Sequence, residues 1–363
     1  MRITKLDGLR GIFSMMIVIH HYNEAYLPQW FYDFFVIRQS YIVVDFFFVL
    51  SGFVIALNYN FIKTGNELWE FIKKRFIRLY PLLFYTSSIF LLYKLFSRLV
   101  VKQYMPAVFE SKLGIDYHEH IQPYIDSLFF TNSTPIWGYS LGLNIPAWSI
   151  SAEMISYLVF GSLSVFFTLK NKRLGFVLLI LFSAIFLKIK GEFFTTVEYG
   201  FVRAFVSFFS GYFVWELSHF KFKIKDYLEY FMALFLIAIL YVLQVLNRDS
   251  SAGVTFSIFF VPLFFSISIL LLLKTNGTIS RFLDLKPIQY LGKISYSIYL
   301  NHYILLSLIV KPIFRIFKFE STLFNQFIVF IFLLALTVFY SHFTYIYIEK
   351  KISNRLKKKL LKT

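Results

Sequence analysis

The residues best suited to chemistry are a basic and an imidazole side chain on the first apolar segment. Arg10 lies near the start of this segment, and His21 lies eleven residues further along the chain. Eleven residues of α-helix turn through ~1100°, so both side chains point to one face, ~16 Å apart along the axis. A histidine inside a bilayer is costly and usually functional, which makes His21 the candidate general base. The alternative is a buried histidine that bonds a nearby carbonyl.

Two carboxylates and a second histidine lie in other apolar segments. Asp45 is surrounded by Val and Phe residues, and Glu153 and His302 belong to polar stripes at helical spacing. Counted from the ends of their spans, these three residues and His21 all lie ~18–22 Å above the inner surface of a ~30 Å hydrocarbon core. A carboxylate at this depth is expected to orient His21 as a general base. The alternative is a set of separate hydrogen bonds between helices.

A second candidate site is basic and precedes the third apolar segment. Arg75 and Arg78 are three residues apart and therefore face the same way on a helix. Two guanidinium groups can hold a phosphate through paired hydrogen bonds. The alternative is that both arginines anchor the segment by binding lipid headgroups.

The composition indicates a membrane protein. Of the 363 residues, 58% are hydrophobic and 16% charged, and a soluble domain cannot bury that much apolar surface. Cysteine is absent, which excludes disulfides, thiolate metal sites and a thiol nucleophile. The net charge of +17 calls for no nucleic-acid partner, because basic residues that hold cytoplasmic loops in place account for it.

Ten apolar segments are long enough, or nearly so, to cross ~30 Å of hydrocarbon, which predicts an all-α polytopic membrane protein. Basic residues alternate from loop to loop, and this bias predicts that both termini are cytoplasmic. We expect one membrane domain over residues 1–350 and a basic cytoplasmic tail over residues 351–363. The ten segments are 9–25, 40–60, 79–101, 147–168, 174–190, 200–218, 228–246, 254–273, 289–310 and 325–348.

The longest predicted loop covers roughly residues 102–146 on the outer side. Its glycines and prolines are typical of irregular structure. The His118-Glu119-His120 run contains metal-binding residue types, but no further ligands cluster near it in the sequence, so no metal site is expected. We expect this loop to cap the outer face or to contact a substrate.

Five motifs occur together in an order and spacing that resemble acyltransferase family 3, the membrane O-acyltransferases that modify cell-surface carbohydrates. The resemblance covers the whole chain. It implies the stand-alone form of the family, without the extracytoplasmic hydrolase-like domain that some members carry. The motifs are Leu-Asp-Gly-Leu-Arg-Gly at 6–11 with His21, Asp-Phe-Phe-Phe-Val-Leu-Ser-Gly-Phe at 45–53, Arg-Phe-Ile-Arg-Leu-Tyr-Pro at 75–81, Ala-Trp-Ser-Ile-Ser-Ala-Glu at 147–153, and Leu-Gly-Lys-Ile-Ser-Tyr-Ser-Ile-Tyr-Leu-Asn-His at 291–302.

The resemblance implies roles for the basic residues and the first histidine. His21 matches the catalytic histidine of the family. Arg75 and Arg78 match the arginine pair that is thought to engage acyl-coenzyme A from the cytoplasm. Arg10 matches the basic residue that precedes the histidine, and we expect it to help hold the phosphates of the donor.

The resemblance also implies substrate contacts. Trp148, Ser149 and Glu153 match the Trp-Ser-x-Ser-x-Glu-Glu stretch of the family, but Met154 stands in place of its second glutamate. The late Trp-His pair of the family retains only its histidine, His302, and these departures indicate a different acceptor pocket. Trp148, Ser149 and His302 are the expected substrate-binding residues, with Ser149 or the Trp148 indole N–H meeting the oxyanion.

The expected reaction moves an acyl group, acetyl by default, from cytoplasmic acyl-coenzyme A to a hydroxyl of a cell-surface or secreted carbohydrate. The expected location is the bacterial cytoplasmic membrane, and no metal cofactor is expected. His21 acts as general base and is oriented by Asp45 or Glu153.

Two alternative functions come from other classes. A polysaccharide transporter or flippase would use the intramembrane histidines and carboxylates for proton coupling, and would show inverted repeats with broken helices. The sequence shows neither feature. A membrane glycosyltransferase would need a carboxylate-rich outer loop after the first span, and residues 26–39 contain only Asp33.

Overall fold

The computed structural model describes residues 3–22, 26–104, 118–136, 141–167, 169–310, 313–314, 320 and 322–361. Over these residues the chain is helical and has no β-strand. A 3₁₀ turn covers Ser40–Ile42, and π-helical segments cover Leu306–Val310 and Tyr345–Ile352. The α-helices are α1 (Thr4–His21), α2 (Gln29–Tyr32), α3 (Phe35–Arg38), α4 (Val43–Tyr59), α5 (Gly65–Tyr104), α6 (His118–Phe129), α7 (Ala147–Phe166), α8 (Leu169–Lys190), α9 (Gly200–Ser218), α10 (Leu228–Leu246), α11 (Ser251–Lys274), α12 (Thr278–Leu283), α13 (Lys286–Leu305), α14 (Leu323–Thr344) and α15 (Ser353–Leu360).

A helix overlaps each of the ten predicted apolar segments, and the chain is a multi-pass membrane protein. Among the described residues, six helical stretches are long and apolar enough to cross a membrane. The other predicted spans are more polar, and α1, for example, contains Lys5, Asp7 and Arg10. The count of ten spans and the cytoplasmic termini therefore stay predictions. The six stretches are Phe35–Tyr59, Gly65–Val100, Ala147–Phe166, Leu228–Leu246, Ser251–Lys274 and Leu323–Leu360.

The prediction of an irregular loop over residues 102–146 is wrong in part, because His118–Phe129 forms α6 with Pro123 inside it. Residues 105–117 and 137–140 of the predicted loop lie outside the described residues. The Tyr124 hydroxyl lies 3.0 Å from Ser88 Oγ and links α6 to α5. The glycines and prolines in and around α6 predicted irregular structure, but the segment contains a short amphipathic helix that packs on the bundle.

Helices α1 and α13 are in backbone contact through glycines. A Cβ atom on Gly11 would lie 2.5 Å from the Gly292 nitrogen, and one on Gly292 would lie 2.0 Å from the Asp7 oxygen. Only glycine allows two helices to approach so closely. The helices run parallel, since Gly11 meets Gly292 at one end and His21 meets His302 at the other. This contact fixes the position of the α1 face that carries the candidate base.

A similar contact joins α4 to α9. A Cβ atom on Gly52 would lie 1.8 Å from the Phe208 oxygen, and one on Gly211 would lie 2.0 Å from the Val49 oxygen. Small residues on both helices therefore let the two backbones touch. The pair forms the wall of the bundle that contains Asp45.

A proline inside α5 provides the docking point for the last helix. Pro81 has no N–H and cannot donate to the carbonyl four residues earlier, which belongs to Ile77. Ser353 Oγ, at the start of α15, donates to this carbonyl over 3.0 Å, and both residues are buried. The C-terminal helix is thus attached to the turn of α5 that carries Arg75 and Arg78.

We expect Gly292→Ala to lower the thermal unfolding midpoint of the chain purified in detergent. The new methyl group would overlap the Asp7 carbonyl and force α1 away from α13, and overpacking of this kind costs about 1–3 kcal/mol. Gly175→Ala is the matched control, because its methyl group would meet only Leu163, at 3.9 Å. Alanine inside a helix is favoured over glycine by about 0.5–1 kcal/mol, so the control midpoint should stay or rise. Equal midpoints for the two variants would contradict the backbone contact.

Candidate functional site

A cavity lies among α1, α4, α5, α7 and α13. It holds about 840 Å³ of space that no atom fills, counting its open mouth. Its charged lining residues are Arg10, Arg75, Arg78 and Glu153. The three arginines predicted to bind phosphate, which come from two separate motifs, therefore line a single cavity.

Arg10 and Arg75 are held by neighbouring side chains but keep capacity for a ligand. Arg10 Nη1 lies 3.3 Å from Asp7 Oδ1 on its own helix. Arg75 Nη2 donates to the Tyr59 hydroxyl over 3.0 Å, and its guanidinium lies 4.8 Å from the centre of the Tyr59 ring. Arg75 Nε is buried and has no hydrogen-bond partner among the described residues. A buried donor without a partner is costly, and an oxygen of a bound anion would remove that cost.

Two carboxylates act on the arginine cluster. The charges of Glu153 and Glu349 both act on Arg10 and Arg78. Glu349 lies on the π-helical segment after α14 and accepts a hydrogen bond from Ser297 Oγ over 2.9 Å. Glu349 was not predicted from the sequence, because it directly precedes a basic run and resembles the solvated end of a span. Glu349 lies within a π-helical segment, and such segments often occur at functional sites.

His21 and His302 meet near the ends of α1 and α13, with His302 Nε2 3.2 Å from His21 Nδ1. His302 Nδ1 lies 3.3 Å from the Ile298 oxygen, and His21 Nδ1 lies 3.0 Å from the Ile17 oxygen. A carbonyl oxygen only accepts, so in neutral rings both Nδ1 atoms carry the proton and His302 Nε2 accepts from His21. This assignment, made from the hydrogen-bond partners, leaves the Nε2 lone pair of His21 available to a substrate.

Asp45 belongs to a separate buried ion pair. Arg203 Nη2 lies 2.6 Å from Asp45 Oδ2, and Ser207 Oγ donates to Asp45 Oδ1 over 2.7 Å. The two charged side chains are 2% and 0% exposed. The ring of Trp148 lies 5.4 Å from the Arg203 guanidinium and covers one side of the pair.

The structure corrects the expectation that Asp45 or Glu153 lies against His21. Asp45 faces Arg203 on α9, and Glu153 faces the arginine cavity. The residue that lies against His21 is His302. Depth along a span fixes the level of a side chain but not the direction in which it faces, so four residues at similar depth separate into three places.

The three predicted substrate-binding residues also lie in different places. Ser149 lines the cavity, and its Oγ lies 2.8 Å from the hydroxyl of Tyr299. The Tyr299 ring centre lies 6.1 Å from that of His302, so Tyr299 borders both the cavity and the histidine pair. Trp148 is buried against Arg203, away from the cavity.

Arg203 was not predicted from the sequence either, although a signal was present. This arginine lies in an otherwise apolar run, as Asp45 does. Opposite charges inside a membrane usually pair, so the two residues could have been matched from the sequence alone. In the part of the chain whose side chains are described, no three His, Cys, Asp or Glu residues form a group that could hold a metal ion.

We expect Asp45→Asn to destabilise the protein strongly, because it leaves Arg203 buried and unpaired, at a cost of about 3–5 kcal/mol. The double variant Asp45→Leu with Arg203→Met removes both charges and should recover much of the lost stability. Size-exclusion profiles and thermal midpoints in detergent measure both effects. A double variant that is less stable than Asp45→Asn would contradict the expectation that the unpaired charge of Arg203 causes the instability.

Comparison with known proteins supports this interpretation of the motifs. A family model described as an acyltransferase domain matches residues 3–345. Protein 2 in the picA locus of Rhizobium radiobacter is 30% identical over 197 residues, which are 52% of this chain and 94% of that protein. Peptidoglycan O-acetyltransferase OatA of Listeria monocytogenes is 24% identical over 330 residues, which are 84% of this chain.

This chain spans about half of OatA, with 50% of that protein covered. No solved structure matches the chain. The family match extends over nearly the whole described bundle and includes both the arginine cavity and the histidine pair. The chain therefore belongs to acyltransferase family 3.

Proposed function

We propose that this chain is a membrane O-acyltransferase that moves an acyl group from acyl-coenzyme A to a hydroxyl of a cell-surface or secreted carbohydrate. Membership of the family supports acyl transfer, and similarity to a peptidoglycan O-acetyltransferase supports an acetyl group and a carbohydrate acceptor. The proposed location is the bacterial cytoplasmic membrane, with the arginine cavity open to the cytoplasm. The observation that carries the proposal is that Tyr299, which lines the arginine cavity and bonds Ser149, lies beside the histidine pair.

Acyl-coenzyme A is the proposed donor because the cavity offers three guanidinium groups to its phosphates. Arg75 and Arg78 face one space from adjacent turns, and Arg10 adds a third cation from α1. Guanidinium groups bind phosphate oxygens through paired, charge-assisted hydrogen bonds. The unpartnered Nε of Arg75 supports an anionic ligand, since no described residue satisfies this buried donor.

His21 is the proposed general base. As the acceptor hydroxyl oxygen attacks the thioester carbonyl, His21 Nε2 takes the hydroxyl proton. The new carbon–oxygen bond forms, the carbon–sulfur bond breaks, and the leaving thiolate receives the proton from His21. The products are the O-acyl carbohydrate and coenzyme A with a free thiol. Ser149, beside the Tyr299 hydroxyl, is the proposed donor to the oxyanion, since Trp148 is buried elsewhere.

The remaining predicted residues receive other roles in this proposal. His302 positions His21 by accepting a hydrogen bond from its Nδ1–H group, a role that was expected for a carboxylate. Glu153 acts in the donor cavity, and Asp45 holds α4 against α9 through Arg203. In this arrangement the base is oriented without placing a formal negative charge beside it.

We expect His21→Ala to lower acyl transfer by at least about 10²-fold, the usual contribution of a general base. The measurement is transfer of radiolabel from acetyl-coenzyme A to glycan in membrane vesicles. His20→Ala is the matched control, because the adjacent His20 points its Nδ1 at the Ile37 oxygen instead. His302→Gln, which keeps an acceptor, should retain more activity than His302→Leu.

The same variants can be tested in cells by mass spectrometry of the surface glycan. An acyl mass that returns with the wild type but not with His21→Ala would support the proposed enzyme. A glycan that is never acylated, but whose export changes on deletion, would support the polysaccharide transporter instead.

We expect Arg78→Ala to raise the KM for acetyl-coenzyme A about tenfold or more, as befits loss of a charged hydrogen bond. Lys74→Ala is the matched control, because Lys74 is an exposed cation on the same helix that does not line the cavity. Steady-state kinetics with saturating acceptor separate KM from kcat. Equal effects of the two variants would indicate a general charge effect rather than a phosphate contact.

A further inference from the structure

Two polar side chains in the cavity wall have hydrogen-bonding capacity that the proposed function does not use. Glu153 Oε1 accepts hydrogen bonds from the Ser51 and Tyr157 hydroxyls. The other carboxylate oxygen, Oε2, accepts none from the described residues. Glu153 therefore presents a free acceptor to the cavity.

Ser295 is the second group. It lines the cavity from α13 and is 1% exposed, and its Oγ has no hydrogen-bond partner among the described residues. A buried serine in a helix usually bonds a carbonyl of its own helix, as Ser156 Oγ does to the Ala152 oxygen over 2.9 Å. Ser295 Oγ makes no such bond, and a buried hydroxyl without a partner is costly. A ligand atom in the cavity would satisfy it.

Helices α7 and α13 run antiparallel along this wall. Ser149, early on α7, bonds Tyr299 on α13. Asn144, just before α7, donates from Nδ2 to the oxygen of Leu300, one residue later on α13, over 2.9 Å. Moving along α7 towards its C-terminus therefore corresponds to moving along α13 towards its N-terminus.

Glu153 and Ser295 consequently lie at the same level of the cavity. Glu153 is four residues after Ser149, and Ser295 is four residues before Tyr299. Each is therefore displaced ~6 Å from the Ser149–Tyr299 hydroxyl pair, in the same direction. This level lies between that pair and the arginine cluster.

We propose that Glu153 Oε2 and Ser295 Oγ form a subsite for a secondary amide of the acyl donor, which deepens the function proposed above and rests on it. A secondary amide offers one N–H donor and one carbonyl acceptor, and the two side chains offer the matching acceptor and donor. The arm that joins the nucleotide of coenzyme A to its sulfur contains two such amides. A ligand with phosphates on the arginines and its thioester beside Ser149 must pass this level.

The rest of the wall favours such an arm over a sugar ring. The cavity lining includes eight apolar side chains, among them Leu50, Val54, Ile150 and Leu79, which offer no hydrogen bonds. Methylene groups between two amides fit an apolar wall, whereas a carbohydrate would leave most of its hydroxyls without partners. The subsite therefore belongs to the donor and not to the acceptor.

The test uses the full chain in lipid nanodiscs and isothermal titration with two probes. Coenzyme A carries both the nucleotide and the amide arm, whereas 3′-phosphoadenosine 5′-diphosphate carries the nucleotide alone. Ser295→Ala should weaken coenzyme A binding about fivefold, the value of one neutral hydrogen bond. It should leave binding of the arm-less nucleotide unchanged. Ser156→Ala, which alters a satisfied serine outside the cavity, should change neither affinity.

Glu153→Gln provides a second variant that keeps the size of the side chain. It turns an acceptor pair into one acceptor and one donor, so an amide N–H facing the new N–H group loses its partner. Loss of the Glu153 charge, which acts on Arg10 and Arg78, should affect the phosphates of both probes alike. Coenzyme A should therefore lose about tenfold in affinity relative to the arm-less nucleotide.

The outcomes separate this proposal from the one on which it rests. Wild-type protein that binds neither probe would overturn the donor cavity itself. Wild-type protein that prefers coenzyme A, combined with unchanged affinities in Ser295→Ala and Glu153→Gln, would overturn the amide subsite alone. Equal weakening of both probes would show that the variants distort the cavity, and would also overturn the subsite.

Discussion

The backbone contact between α1 and α13 is the constraint on which the other features depend. Because two backbones touch at Gly11 and Gly292, neither helix can slide or rotate without a steric overlap. Arg10 and His21 keep a fixed separation because both lie on α1. The contact with α13 keeps His302 beside His21. The proposed reaction would benefit from this rigidity, since small displacements of reacting groups cost large factors in rate.

The buried ion pair and the arginine cavity differ in their balance of charge. Asp45 and Arg203 neutralise each other away from the cavity, so the Asp45 carboxylate does not lie against the histidines. The cavity instead keeps an excess of cations, with Arg75 and Arg78 facing a space that an anion can enter. The low dielectric constant of a protein interior strengthens the attraction between these arginines and such an anion.

Features that depend only on position and spacing along the chain could be predicted from the sequence. Apolar length located the helices, and three-residue spacing put Arg75 and Arg78 in one cavity. Features that depend on rotation between helices were not predictable in this way. Asp45 faces α9 rather than α1, and Glu349, on the π-helical segment after α14, contacts Ser297 of α13. Contacts between distant segments require the packing itself.

Separation along the chain has a consequence for synthesis in the cell. His21 and His302 are 281 residues apart, so the ribosome finishes α1 on the order of tens of seconds before α13 exists. During that interval the glycine face of α1 lacks the helix that it contacts, and His21 lacks His302. The serine of α15 that bonds the Ile77 carbonyl arrives later still. Neither the histidine pair nor the final support of the arginine turn exists in a nascent chain, and both form only after α13 and α15 have been synthesised.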